Sequence, residues 1–158
     1  MKKIVFLFGL TLFTLQVFAG GDQIKSFDLL MDLLKAGKDV KVVIHYGKCR
    51  LISDNEISEY SPDAIGGMTI DTWEYFAENA VRNKHAFVVT STTHLIANPI
   101  GEGYVLNYVK IKIEADQKIK ITARYLDPVS YEVKMDENFF TDLNEGNNEG
   151  AVYFYEMD

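Results

Sequence analysis

This 158-residue chain has one cysteine and three histidines. A lone thiol excludes an internal disulfide framework, and no Cys-x-x-Cys pair is available for zinc or redox chemistry. There is no glycine-rich phosphate loop, no Gly-x-Ser-x-Gly nucleophile turn and no His-Glu-x-x-His helix, so the common signatures of nucleotide binding, ester hydrolysis and metalloproteolysis are missing. Basic residues are also scarce: 16 Lys and Arg stand against 23 Asp and Glu, a net charge of −7. Phosphate backbones repel such a chain, and nucleic acid is not an expected partner. Past residue 19, no apolar run approaches the roughly 20 residues that a spanning helix needs.

What the chain does have is apolar surface. Hydrophobic residues make up 47% and aromatics 13%, which is enough to offset ordering entropy and excludes intrinsic disorder. The length suits one domain. A domain of this size buries roughly two thirds of the surface its unfolded chain exposes, so neither a metal nor a disulfide is required for stability.

Lys2 and Lys3 precede an apolar run over 4–15, and Val17 and Ala19 supply the small-residue end. This pattern predicts a secretory signal peptide over 1–19 and a single mature domain over 20–158, exported to the periplasm or the medium. Loss of Lys2 and Lys3 leaves 14 basic and 23 acidic residues, a mature charge of −9. The tail over 127–158 holds nine acids and one lysine, which is −8 of that total. The concentration of base is Lys110, Lys112, Lys118, Lys120 and Arg124, interrupted by Glu114 and Asp116, which reads as a solvated face of alternating charge.

Phe27, Leu30, Met31 and Leu34 follow Ser26 at helical spacing, and Gly37 lies just past them. Ser26 can cap the first turn and Gly37 can close the last, so one amphipathic helix is expected over 26–36. The period then changes to two. Val40, Val42, Ile44 and Tyr46 alternate with Lys41, Val43 and His45 as a strand. From residue 86 onward, β-prone runs over 86–96, 104–115, 118–126 and 129–135 are separated by short turns at Asn98-Pro99, Asp116-Gln117 and Asp127-Pro128. Connections this short cannot house a crossover helix, so the strands pair as hairpins. Ile119, Ile121, Ala123 and Tyr125 are expected to face inward, as are Val129, Tyr131, Val133 and Met135. A closing strand is expected over 151–155. The segment 68–82 is ambiguous: Asp71 and Glu74 form a capping-box pattern with Trp73, Phe76, Ala77, Ala80 and Val81 on one helical face, yet 69–76 is rich in β-formers.

The order of these features resembles the VirK family of small secreted bacterial proteins. The residues that carry the likeness are the opening helix of 27–38, the strand Val40-Lys41-Val42-Val43-Ile44 ending near Lys48-Cys49, the landmark Gly66-Gly67-Met68-Thr69-Ile70-Asp71, and Phe87 through Ser91-Thr92-Thr93-His94. The resemblance implies a strand at 68–76 and decides that segment against the helix. It supplies no catalytic residue, cofactor or ligand. Family members often carry a second cysteine near the C-terminus; here 139–158 has none, so Cys49 is expected to be buried, reduced and structural.

The fold expected is therefore α+β: a curved antiparallel β-meander sheet of six to eight strands packed on one N-terminal amphipathic helix. The function expected is that of a secreted or periplasmic, non-catalytic binding or accessory protein with a host- or envelope-interaction role. Its partner is a protein or small-molecule ligand, the chain is monomeric, and no metal, cofactor or catalytic residue is assigned. Tyrosine and tryptophan present an apolar body with a polar tip, which makes Trp73, Tyr108 and Tyr125, together with His94, the candidate binding residues. The alternative is a small secreted hydrolase or metal-dependent enzyme using His45, Cys49 and His94, types suited to a nucleophilic dyad or a zinc site. Proximity decides between the two. His85 is expected to be solvated, and the loop over 144–150, flanked by Asp142, departs from the EF-hand pattern because Tyr153 falls where the bidentate Glu is required.

Overall fold

A computed structural model describes residues 21–53 and 56–157; the expected signal peptide lies outside the described residues. Ser26 starts the helix α1 (Phe27–Lys35) by accepting a hydrogen bond from the Leu29 N–H on its side-chain oxygen. At the other end Gly37 takes φ +72°. Its N–H donates to Leu34 O, and that of Lys38 to Leu33 O, the paired closure that a left-handed residue makes possible. Phe27, Leu30, Met31 and Leu34 are buried, as the 3.6-residue period requires.

Strand dominates, at 52% of the described residues. In chain order the described strands are β1 (Gln23–Ile24), β2 (Val40–His45), β3 (Arg50–Ser53), β4 (Glu56–Ile57), β5 (Ile65–Thr69), β6 (Trp73–Phe76), β7 (Phe87–Ala97), β8 (Tyr104–Glu114), β9 (Lys118–Leu126), β10 (Val133–Asp142) and β11 (Val152–Glu156). The meander β6 to β10 is antiparallel throughout, with register pairs such as Thr90↔Ile111, Ile111↔Ile121 and Ile121↔Phe139.

The expectation of one sheet is corrected to two. A seven-stranded sheet runs β4-β3-β10-β9-β8-β7-β6, and a four-stranded sheet runs β1-β11-β2-β5. Length explains the second layer. At 1.5 Å per residue the nine-residue helix spans about 14 Å, whereas eleven-residue strands reach roughly 36 Å. The helix is too short to cover the apolar face that the meander generates. Val42, Ile44, Val152 and Phe154 of the smaller sheet join Ile111, Ile121 and Phe139 of the larger one, and the buried helix residues, in a single core cluster.

Two further expectations change. The strand expected at 68–76 is broken: β5 pairs with β2 in the smaller sheet and β6 with β7 in the larger, and 70–72 carries the chain between them. Ile70 is buried at the crossing and donates its N–H to Val40 O. No helix forms after Asp71, because Thr90 Oγ1 donates to Thr72 O and the Phe76 ring stacks on Phe87. Tertiary pairing outweighs the local capping pattern. The last meander strand starts later than expected, at Val133, and Val129, Tyr131 and Val133 are exposed while Met135 packs on the core. Asp127 Oδ1 accepts from the N–H groups of Val129 and Ser130, and Tyr131 sits at φ 60°. That side-chain turn takes 129–131 out of the ladder.

The burial of α1 makes a direct prediction. Leu30→Ala should cost about 2–5 kcal/mol in chemical denaturation, whereas Leu29→Ala on the exposed side of the same turn should change stability by less than about 0.5 kcal/mol.

Candidate functional site

Side chains alternate across a strand, so every second residue of the larger sheet points toward the smaller one. At the β8–β9 turn these are Ile113 and Ile119, both buried. The helix sits at that end: the Phe27 N–H donates to Gln117 Oε1 in the turn, and the Lys35 ammonium lies over the Tyr75 ring. Six residues along the strands, at the opposite end, the same inner face presents Asn107, Tyr125 and Met135 in one register row, with His94 across from Asn107. The helix does not reach there, and the sheets enclose a cleft of about 410 Å³.

One wall comes from the larger sheet and includes Thr92, His94, Val109, Ala123, Glu137 and Phe139; the other comes from Ile44, Gly66, Gly67 and Met68, with Pro62 and Ala64 at its edge. Tyr46 closes the floor, its ring edge-on to Phe139 at 4.8 Å between centroids. Gly66 makes this possible, since a Cβ there would lie 3.0 Å from the Tyr46 ring. The strand β5 can therefore lie against an aromatic face.

Enclosure sets the electrostatics. Burial pushes the Tyr46 hydroxyl up to about 12, with the neighbouring Cys49 and Tyr125 adding to the effect. Tyr125 is raised by burial and then by the charge of Glu137. Glu137 is itself raised by desolvation. At the mouth, His94 Nε2 and Thr92 Oγ1 are hydrogen-bonded at 2.9 Å.

Of the four expected binding residues, the structure brings His94 and Tyr125 to this cleft. Trp73 and Tyr108 line a separate shallow groove of about 300 Å³ beside β6, and the Trp73 ring also packs on the core. Tyr108 pairs with Thr93 and Arg124 on the parity opposite to His94, so it belongs to the outer face. Glu137, Asn107 and Tyr46 were missed by sequence reasoning. A signal for Glu137 was present, since it shares parity with Met135 and Phe139 once the strand is carried past residue 135.

The residues of the enzyme reading are not brought together. His45 stands on the outer face of the smaller sheet, edge-on to Tyr153 at 5.2 Å, while Ile44, the next residue, faces the cleft that His94 lines. The Cys49 thiol donates to the His45 backbone oxygen at 3.5 Å and not to its imidazole. Burial pushes this thiol up to about 11, which keeps it in the unreactive protonated form at neutral pH. Among the described residues no group of three His, Cys, Asp or Glu side chains is placed to hold a metal ion. In the loop after Asp142, Asn144 and Asn148 donate to the loop's own Gly150 and Leu143 carbonyls. On the outer face Lys112, Lys118 and Arg124 pair with Glu114, Asp142 and Asp136.

Cys49 is 6% exposed. Its labelling by thiol reagents in the native protein is expected to be at least about tenfold slower than after unfolding, and non-reducing electrophoresis should show a monomer. Tyr46 and Cys49 both hold their protons more tightly when folded than the ordinary 10.0 and 9.0 of the free groups. The unfolded chain then binds fewer protons than the folded one as pH rises, so stability is intact below about pH 9 and falls toward pH 12. Urea titrations across this range should show the fall, and Tyr46→Phe should flatten its upper part.

A protein-family model described as VirK protein matches residues 23–131. No curated protein matches the chain. The crystal structure of a VirK family protein from Legionella pneumophila is similar to it, with a TM-score of 0.63 and 18% identity over 84% of this chain and 98% of that one. At that identity the likeness is one of fold. The family match runs from β1 through the turn after β9, and β10, which supplies Glu137 and Phe139, lies beyond it. A match over well more than half of the residues, running through the helix, the Gly66-Gly67 strand and the His94 strand, establishes that this chain belongs to the VirK family.

Proposed function

We propose that this protein is an exported, non-catalytic binding protein whose small-molecule ligand occupies the cleft between the two sheets. The cleft itself carries the reading. Its size falls in the range of small-molecule sites, and its walls are mostly apolar, with a few polar groups converging at one end. His94, Tyr125, Asn107 and Glu137 are the residues placed to orient a ligand; Trp73 and Tyr108 sit outside it. Export rests on the charged start at Lys2 and Lys3, the apolar run after them and Ala19.

An accessory role at the host or envelope fits the same end of the molecule. The turns over 98–103 and 127–132 lie at the cleft end of the meander. They and the strand ends beside them expose Leu95, Ile100, Tyr104, Val129 and Tyr131. Exposed apolar residues gathered at one end mark an interaction surface more often than chance scatter does. Virulence-linked accessory work is the family-level expectation, and it rests on membership.

Two measurements test this reading. Thermal melts against a panel of amphipathic small molecules should find ligands that stabilise the protein by about 2.7 kcal/mol at a hundred times their Kd. Ala123→Phe, which fills the cleft from β9, should lose that stabilisation while its own stability changes by about 1–3 kcal/mol. If no compound distinguishes the parent protein from this variant, the cleft is not a binding site. N-terminal sequencing of protein recovered from the periplasm or medium should begin at Gly20; a chain retaining Met1 inside the cell would reject export.

A further inference from the structure

Building on the cleft as a binding site, we infer that its ligand is a protonated amine with an apolar body, the ammonium pairing with the Glu137 carboxylate and the body lying between Met68, Val109 and Phe139. Eighteen residues line the cleft, and among them Glu137 is the one carboxylate, with no Lys or Arg. No ion pair involving Glu137 occurs among the described residues. Glu137 is half-buried, and a carboxylate that lines a mostly apolar cleft without a lysine or arginine beside it favours a cationic ligand. Desolvation has already raised the affinity of Glu137 for a proton, and an ammonium would satisfy the same charge.

The remaining walls fit the same chemistry. Tyr46 and Tyr125 line the cleft, and a cation held near a tyrosine face gains from its quadrupole. Asp63 stands between the lining residues Pro62 and Ala64, and Glu102 follows the lining residue Ile100 in its turn. Acid at the rim raises the local concentration of cations. A ligand carboxylate would meet the like charge of Glu137 and be repelled. A sugar would need more polar partners than Thr92, His94, Asn107 and Tyr125 offer.

Volume sets the scale. At the roughly 30 Å³ that a water fills in the liquid, about 410 Å³ has room for on the order of a dozen non-hydrogen atoms. Octylamine, octanol and octanoate are probes of that size that differ in the head group and its charge. Calorimetric titration of the full protein at neutral pH should rank octylamine at least about tenfold tighter than octanol, and octanol tighter than octanoate. Glu137→Gln should abolish the difference between octylamine and octanol. Octanoate binding as tightly as octylamine, or an amine preference that survives Glu137→Gln, would overturn the assignment while leaving the cleft as a site. Binding of none of the three, or equal binding to Ala123→Phe, would overturn the cleft reading along with it.

Discussion

A sheet with one apolar face must have that face covered along its whole length, and the rest of this structure follows from how the cover is assembled. The inner face of β7 to β10 carries Val88, Ile111, Ile113, Ile119, Ile121 and Phe139, all buried. At roughly 25 cal/mol per Å² of apolar surface removed from water, this burial is the main favourable contribution to folding. Three pieces of chain share the work: α1 covers the end near Gln117, and β2 and β11 cover the middle with Val42, Ile44, Val152 and Phe154. At the far end, among the described residues, Ile44 and Tyr46 share the cover with the edge strand β5 and the segment before it, and the cover stays open.

That incomplete cover is what makes a site. Gly66 leaves the edge strand without a side chain where it crosses Tyr46, Gly67 does the same beside the Val42 backbone oxygen, and the neighbouring strands contribute Ala123 and Asn107 where larger apolar residues would have closed the gap. A cleft bounded by two rigid sheets holds its polar groups in place more firmly than a loop would, and preorganisation of that kind favours binding by lowering the ordering cost. Charge is distributed accordingly. The outer face of the larger sheet neutralises much of its base in exposed pairs such as Arg124 with Asp136, which contribute little to stability. The half-buried carboxylate of Glu137 has no such ion pair among the described residues.

Much of this was legible in the residues. Helix α1 announced itself through Ser26, Gly37 and the period of its apolar positions, because capping and amphipathicity are local. The hairpins β7 to β9 were equally plain, since Asn98-Pro99 and Asp116-Gln117 fix short connections and short connections force antiparallel neighbours. Half of the candidate site was visible as well: His94 and Tyr125 lie on strands whose alternation was readable. Tyr108 was placed with them by residue type, although its parity puts it on the outer face. The local pattern of alternation stops at Met135, which hides Glu137.

By itself the sequence determined the compartment to expect, the helix, the strand alternation and the absence of the common catalytic signatures, all of which depend on residues near one another along the chain. Only the tertiary structure decided that the sheet is two sheets, that 68–76 divides between them, that His45 faces away from His94, and that an acid on β10 meets tyrosines from 46 and 125. The physical reason is length. Strand pairing and sheet stacking join residues far apart in the chain, and which faces meet depends on how much surface the short helix leaves uncovered, a balance that no local pattern records.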